Sequence, residues 1–138
     1  MIDDSPEVLE VCEKENLASI NRGPLAMGLL AGKYDLASTI PGEDVRGKNS
    51  PDWMQYFKDG KPNAPWLNKL HSVREILTSG GRSLLQGALA WLWGRSERII
   101  PIPGFRNEQQ ITGNADAMKF GALSQDQICE IDSILERS

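Results

Sequence analysis

The sequence predicts an α/β chain of parallel strand–helix units, and three observations lead there. Two short apolar runs, Leu17-Ala18-Ser19-Ile20-Asn21 and Ile99-Ile100-Pro101-Ile102-Pro103, have the length and composition of buried strands. Helical patterns stand before, between and after them, the alternation a parallel sheet requires. Two such apolar strands are too few to satisfy both faces and both edges of a parallel sheet, so the pattern reads as part of something larger.

Each element has a local reason. Ser5 caps a first helix with Pro6 at its first position, where a missing N–H costs nothing; Val8, Leu9 and Cys12 recur along it and Asn16 closes it. The stretch from Arg22 to Tyr34 is dense in leucines and carries glycines at 23, 28 and 32. From Asp35 to Pro65 the composition turns to Gly, Pro, Asp, Asn and Lys without a sustained period, and a long irregular segment inside a folded domain is usually functional. Within it, Pro51 to Phe57 is expected to form a short helix. Trp66, Leu67, Leu70, Val73, Ile76 and Leu77 make the stripe of an amphipathic helix that Gly80-Gly81 stops. Ser83 and Gln86 form a capping box for the helix carrying Leu84, Leu85, Ala88, Leu89 and Leu92, which ends near Gly94. A further helix is expected over Glu108 to Met118. For the last one, Ser124 and Gln127 supply a second capping box, Leu123 and Ile128 a hydrophobic staple, and Ile131 and Leu135 the stripe.

Composition sets outer limits. The chain has 138 residues, 40% of them hydrophobic and 25% charged, which suits one globular unit. A net charge of −4 leaves no basic footprint for a nucleic acid. The apolar stretches fall far short of the roughly 20 residues needed to span a bilayer. No secretory leader pattern opens the chain, and the cytoplasm is the default compartment. Cys12 and Cys129 read as small buried hydrophobes, and with a single histidine they make no metal site.

The chemistry is concentrated in the two segments that directly follow the strands. The first is Asn21-Arg22-Gly23-Pro24-Leu25-Ala26-Met27-Gly28-Leu29-Leu30-Ala31-Gly32-Lys33-Tyr34. The second runs from Ile100 through Pro103-Gly104-Phe105-Arg106-Asn107 to Asn114. Gly104 lets a ligand approach the backbone, and Arg106 offers a planar cationic fork for phosphate. A helix starting near Asn107 points its N-terminal N–H groups toward that phosphate. Gln110 and Asn114, four residues apart, share one helix face, and their amides suit the edge of an adenine. A plain capped helix with a solvated arginine fits the same spacing.

These segments resemble the last two strand–loop units of the aldo-keto reductases, particularly the branch with the potassium-channel β subunits. The first resembles the pattern S-P-L-A-x-G-x-L-x-G-K-Y, and the second resembles I-P-G-x-R-x-x-x-Q-[LI]-x-x-N. Between them Ala88-Leu89-Ala90-Trp91-Leu92 resembles the A-L-A-W-L that precedes the family's final strand. The resemblance spans nearly the whole chain in the right order. It implies an incomplete TIM (β/α)8 barrel, strands seven and eight with their helices, and NADPH as cofactor. Residues 1–34 would supply a helix, a strand and the nicotinamide and pyrophosphate loop. Residues 35–82 would form a long loop with helices, and residues 83–138 the last strand and the adenosine-phosphate segment.

Carried over residue by residue, the resemblance implies that Pro24, Leu25 and Ala26 contact the nicotinamide or pyrophosphate. Lys33 matches a lysine near the phosphates, and Arg46, in Asp44-Val45-Arg46, sits where some members fold an arginine over the cofactor. Gly104, Phe105 and Arg106 would lie at the adenosine 2′-phosphate, with Gln110 and Asn114 on the adenine. Three positions depart from the pattern. Gly23 replaces a serine and leaves only a backbone N–H, Arg22 replaces the aromatic that stacks on nicotinamide, and Gly113 replaces an acidic residue. The family's catalytic aspartate, tyrosine, lysine and histidine belong to the first half of the barrel. Tyr34, Tyr56 and His71 lie in the wrong segments to replace them, so no catalytic residue is assigned.

Two readings of function follow. One is the C-terminal, cofactor-binding portion of an NADPH-dependent carbonyl reductase, separated from its catalytic half. Met1 falling within a barrel helix is in keeping with an internal cut. The other is a non-catalytic binding or oligomerisation module derived from such an enzyme. A two-strand fragment is expected to expose Leu84, Leu85, Leu89, Leu92, Ile99 and Ile102. Burial of one such side chain is worth about 1.5–3 kcal/mol. Exposure of several favours self-association or the missing N-terminal half as partner.

Overall fold

The computed structural model describes residues 4–137. Helix α1 (Pro6–Lys14) starts at Ser5, whose hydroxyl accepts from the Val8 N–H, and buries Cys12. Its end is a left-handed Asn16 at φ 53°, with Asn16 N–H donating to Glu13 O and Leu17 N–H to Cys12 O. That closure takes Leu17 out of the strand and leaves it 52% exposed, so β1 is Ser19–Arg22 rather than the earlier run. Strand β4 (Ile99–Ile102) lies parallel beside β1, with Ser19 opposite Ile99 and Arg22 opposite Ile102. The loops that leave the two strands therefore start from the same end of the sheet.

The expected helix over Pro51 to Phe57 does not form. Pro51 to Met54 is one turn, and Phe57 instead enters a hairpin of β2 (Phe57–Lys58) and β3 (Lys61–Pro62). The cause is Asp59-Gly60, both at positive φ (52° and 74°), the dipeptide and conformation that close a two-residue hairpin. The hairpin carries Phe57 to complete burial, with its ring against the edge of Tyr34 at 5.2 Å.

Helix α2 (Ala64–Leu77) buries Leu67, Leu70, Val73 and Leu77, and a 3₁₀ turn through Gly80 and Gly81 follows it. Helix α3 (Leu84–Arg95) has the Ser83–Gln86 capping box and is buried on most of its circumference. Such a helix must be surrounded. It lies against β4, α2, helix α4 (Glu108–Asp116) and helix α5 (Gln125–Ile134). Trp91 is its fully buried centre, with the guanidiniums of Arg95 and Arg137 at 5.7 and 5.2 Å from its ring. Helix α5 opens on the Ser124–Gln127 box, and both members of the staple, Leu123 and Ile128, are buried.

Enclosure of α3 corrects the expected exposed face. Leu84, Leu89, Leu92 and Ile99 are at most 5% exposed, and Leu85 is half-buried. Of the six, only Ile102 is open, and it belongs to the sheet face turned away from α3, with Ile20 and Ile100, each at least half exposed. Cys12 is buried as expected, but Cys129 is exposed because it falls on the outer side of α5, opposite Ile128 and Ile131. Among the described residues no helix is long and apolar enough to cross a membrane.

Two glycines let α3 sit this deep. A Cβ on Gly87 would come within 1.9 Å of the Leu77 carbonyl oxygen, and one on Gly94 within 2.9 Å of the Leu123 carbonyl oxygen. Backbone cannot swing aside as a side chain can, so Gly87→Ala must push α2 off α3. Overpacking of this kind costs typically about 1–3 kcal/mol. Gly87→Ala is expected to lose at least the upper part of that range in urea-unfolding stability. Gly113→Ala, in α4 with open space around its Cβ position, is expected to gain up to about 1 kcal/mol from helix propensity alone.

Candidate functional site

The first loop is strained where it leaves the sheet. Gly23 turns the chain at φ 66°, and Ala26, Met27 and Gly28 follow in succession at φ 50°, 55° and 92°. For a non-glycine residue the left-handed region costs roughly 1–2 kcal/mol, because Cβ crowds the next carbonyl oxygen. Two features hold the turn. The N–H groups of Gly28 and Leu30 both donate to Leu25 O, at 2.9 and 3.2 Å, and the side chains of Ala26, Leu29 and Leu30 are sunk in the core.

The long loop then folds back onto this turn through Arg46. Its Nε and Nη2 donate to the two carboxylate oxygens of Asp44 at 2.8 and 2.6 Å, a two-pronged pair. Its Nη1 donates to Met27 O and to the Tyr34 hydroxyl, both at 2.9 Å. The guanidinium carbon stands 5.7 and 5.4 Å from the Tyr34 and Phe57 ring centres. The bonds from Arg46 hold the Asp44 carboxyl far below the usual carboxylate range, and the positive charge of Arg106 adds a smaller pull in the same direction.

The second loop leaves β4 through Pro103 and Gly104. Asn107 caps α4, its Oδ1 accepting from the Gln110 N–H at 2.9 Å, while Gln110 Oε1 accepts from the Arg106 N–H at 2.7 Å. The Gln110 oxygen is thus taken by the chain itself, which leaves its amide NH2 for a ligand. Asn114 differs: its Oδ1 is buried with no hydrogen-bond partner among the described residues. A buried polar atom without a partner carries a desolvation penalty that a ligand donor can relieve.

Both loops and the Asp44–Arg46 turn enclose one cleft of about 410 Å³. Its lining includes Gly23, Pro24, Leu25, Lys33, Arg46, Gly104, Phe105, Arg106, Gln110 and Asn114, which the sequence singled out from separate segments. Two other expected residues are elsewhere. Ala26 is 3% exposed in the core, on the wall of a smaller apolar cavity of about 100 Å³ beside α2. Arg22 ends β1 opposite Ile102 and is exposed outside the lining. Met27, Gly28, Ala31, Asp44, Val45, Leu85 and Pro103 also line the cleft. Of these, Asp44 had a signal in its two-residue spacing from Arg46, whereas Leu85 looked like one more helix-stripe leucine.

The remaining titratable candidates do not line the cleft. His71 is exposed on α2, Tyr34 is bonded to Arg46, and Tyr56 faces Trp66 over the small cavity, where burial raises its hydroxyl pKa. The cleft therefore has cationic, amide and backbone groups suited to holding an extended anionic ligand.

Comparison with known proteins gives the family of the chain. The family model described as Aldo/keto reductase family matches residues 1–136. An NADP(+) aldo-keto reductase of Schizosaccharomyces pombe, yakc, is 27% identical over 114 residues, covering 81% of this chain and 31% of its own length. L-glyceraldehyde 3-phosphate reductase of Escherichia coli O157:H7 is 28% identical over 130 residues, or 94% of this chain and 36% of its own. Aldo-keto reductase YhdN of Bacillus subtilis is 26% identical over 131 residues, or 95% and 38%. No solved structure matches the chain. The chain thus spans about a third of the length of these relatives, and with the family model matched from residue 1 to residue 136 it belongs to the aldo/keto reductase family.

Proposed function

We propose that this chain is the C-terminal, cofactor-binding portion of an NADPH-dependent carbonyl reductase, contributing strands seven and eight of a (β/α)8 barrel. The observation that carries the reading is the single cleft into which two sequence-distant loops bring Lys33, Arg106, Gln110 and Asn114. Pro24 and Leu25 would line the nicotinamide and pyrophosphate side, with Lys33 near the phosphates. Gly104 and Arg106 would hold the adenosine 2′-phosphate, and the NH2 of Gln110 with the unpartnered Oδ1 of Asn114 would meet the adenine edge. An adenine amino group is a donor, which is what that oxygen lacks. Bound NADPH supplies a hydride; the residues of this chain bind and orient it.

The proton donor and its partners would come from the first half of the barrel, by the family resemblance. A second reading, a binding or oligomerisation module, is favoured by the open Ile20, Ile100 and Ile102 face.

Fluorescence titration of the purified chain with NADPH is expected to show saturable binding. Arg106→Ala is expected to weaken NADPH about tenfold or more, as loss of a charge-assisted phosphate contact should, and to leave NADH within about twofold. Equal loss for both cofactors would place Arg106 away from the 2′-phosphate. In a stopped assay with NADPH and a reactive aldehyde, the chain alone is expected to give no turnover. Measurable oxidation of NADPH coupled to alcohol formation would overturn the division of roles between the two barrel halves.

A further inference from the structure

Four of the five N–H groups of Arg46 are engaged within the protein, on Asp44, Met27 O and the Tyr34 hydroxyl. Its charge is balanced by Asp44 at 2.6 Å, and its side chain is only 13% exposed. A guanidinium held in this way has little left for a phosphate. It does have a firm grip on the carbonyl of Met27, the middle residue of three in the left-handed region. We infer that Arg46 is a positioning residue: through Met27 O and Tyr34 it latches the left-handed turn that forms one wall of the cleft, with Asp44 setting its orientation.

Gly28 is part of this latch. A Cβ there would meet Arg46 Nη1 at 3.3 Å and the Tyr34 ring at 3.7 Å, so the glycine serves both the backbone conformation and the space the guanidinium fills. Asp44 has a sign that separates latch from ligand. Were Arg46 a phosphate ligand, removing the Asp44 charge would free it and reduce repulsion of the anion, so binding would tighten. For a latch, removing the same charge loosens the wall and weakens binding.

The inference rests on the cofactor reading for its consequence, but the latch itself is tested without cofactor. Amide hydrogen exchange of the free chain is expected to speed about tenfold at Gly28, Leu30 and Gly32 in Arg46→Lys and in Asp44→Asn, the effect of losing one charge-assisted hydrogen bond. Amides of α3 and α5 should be unchanged, which also reports that the variants fold. In titrations, both variants should bind NADPH several-fold more weakly while 2′,5′-ADP, which lacks the nicotinamide end, changes by less than about twofold.

Unchanged exchange at the three amides overturns the latch whatever the titrations give. Tighter NADPH binding by Asp44→Asn overturns it in favour of a direct phosphate contact, and equal losses on NADPH and 2′,5′-ADP overturn it in favour of general loosening. Faster exchange in a chain whose wild type binds no NADPH supports the latch and overturns the cofactor reading instead.

Discussion

The parallel pairing of Ser19–Arg22 with Ile99–Ile102 is short, four residues on each side, and the cleft depends on it. Parallel strands must leave from the same end, so the segment after Arg22 and the segment after Ile102 meet although about 80 residues separate them. The connection that parallel pairing requires is long, and here it holds the loop, the hairpin and helices α2 and α3. Had the strands paired antiparallel, Lys33 and Arg106 would stand at opposite ends of the sheet and no common cleft would exist.

Behind the sheet, α3 turns that pairing into a stable object. Leu89, Ala90, Trp91 and Leu92 are each 1% exposed or less, so the helix acts as a core post. Its close approach to α2 at Gly87, and to the chain before α5 at Gly94, leaves no room for side chains at those points. The cleft inherits that rigidity on one side, through Leu85 of α3 and through the buried Leu29 and Leu30 of the first loop. The same loop is also held by the polar bonds of Arg46 to Met27 O and the Tyr34 hydroxyl. That wall is thus set by packing and by electrostatics together, which respond differently to salt and to single substitutions.

Much of this was legible in the sequence because it is governed by local rules. Ser5, Ser83 and Ser124 cap the helices they announce, and both members of the Leu123–Ile128 staple are buried. Ten of the twelve residues singled out for the cofactor line one cleft, since motif and strand order already implied that they share an end. What was missed depends on neighbours distant in the chain. Asp59-Gly60 closes a hairpin, and burial of Phe57 against Tyr34, a contact distant in the chain, supports it over a helix at residues 51–57. The exposure of Cys129 and of Ile20 follows from which helix and sheet faces find partners, which periodicity alone does not reveal. The bonding of Arg46 to Met27 O spans 19 residues of irregular chain and has no pattern in sequence.

The sheet itself has a further consequence. Each of its two strands has a neighbour on one side only among the described residues, so its outer edges carry backbone groups spaced for another strand. Ile20, Ile100 and Ile102 flank those groups with β-branched side chains, the composition that favours strand addition. Arg22 is the one charge within either strand, and Pro101 donates no N–H. On the proposed barrel placement these edges are where the neighbouring strands would pair, and Arg22 sets a charge at the end of one of them, outside the cleft lining.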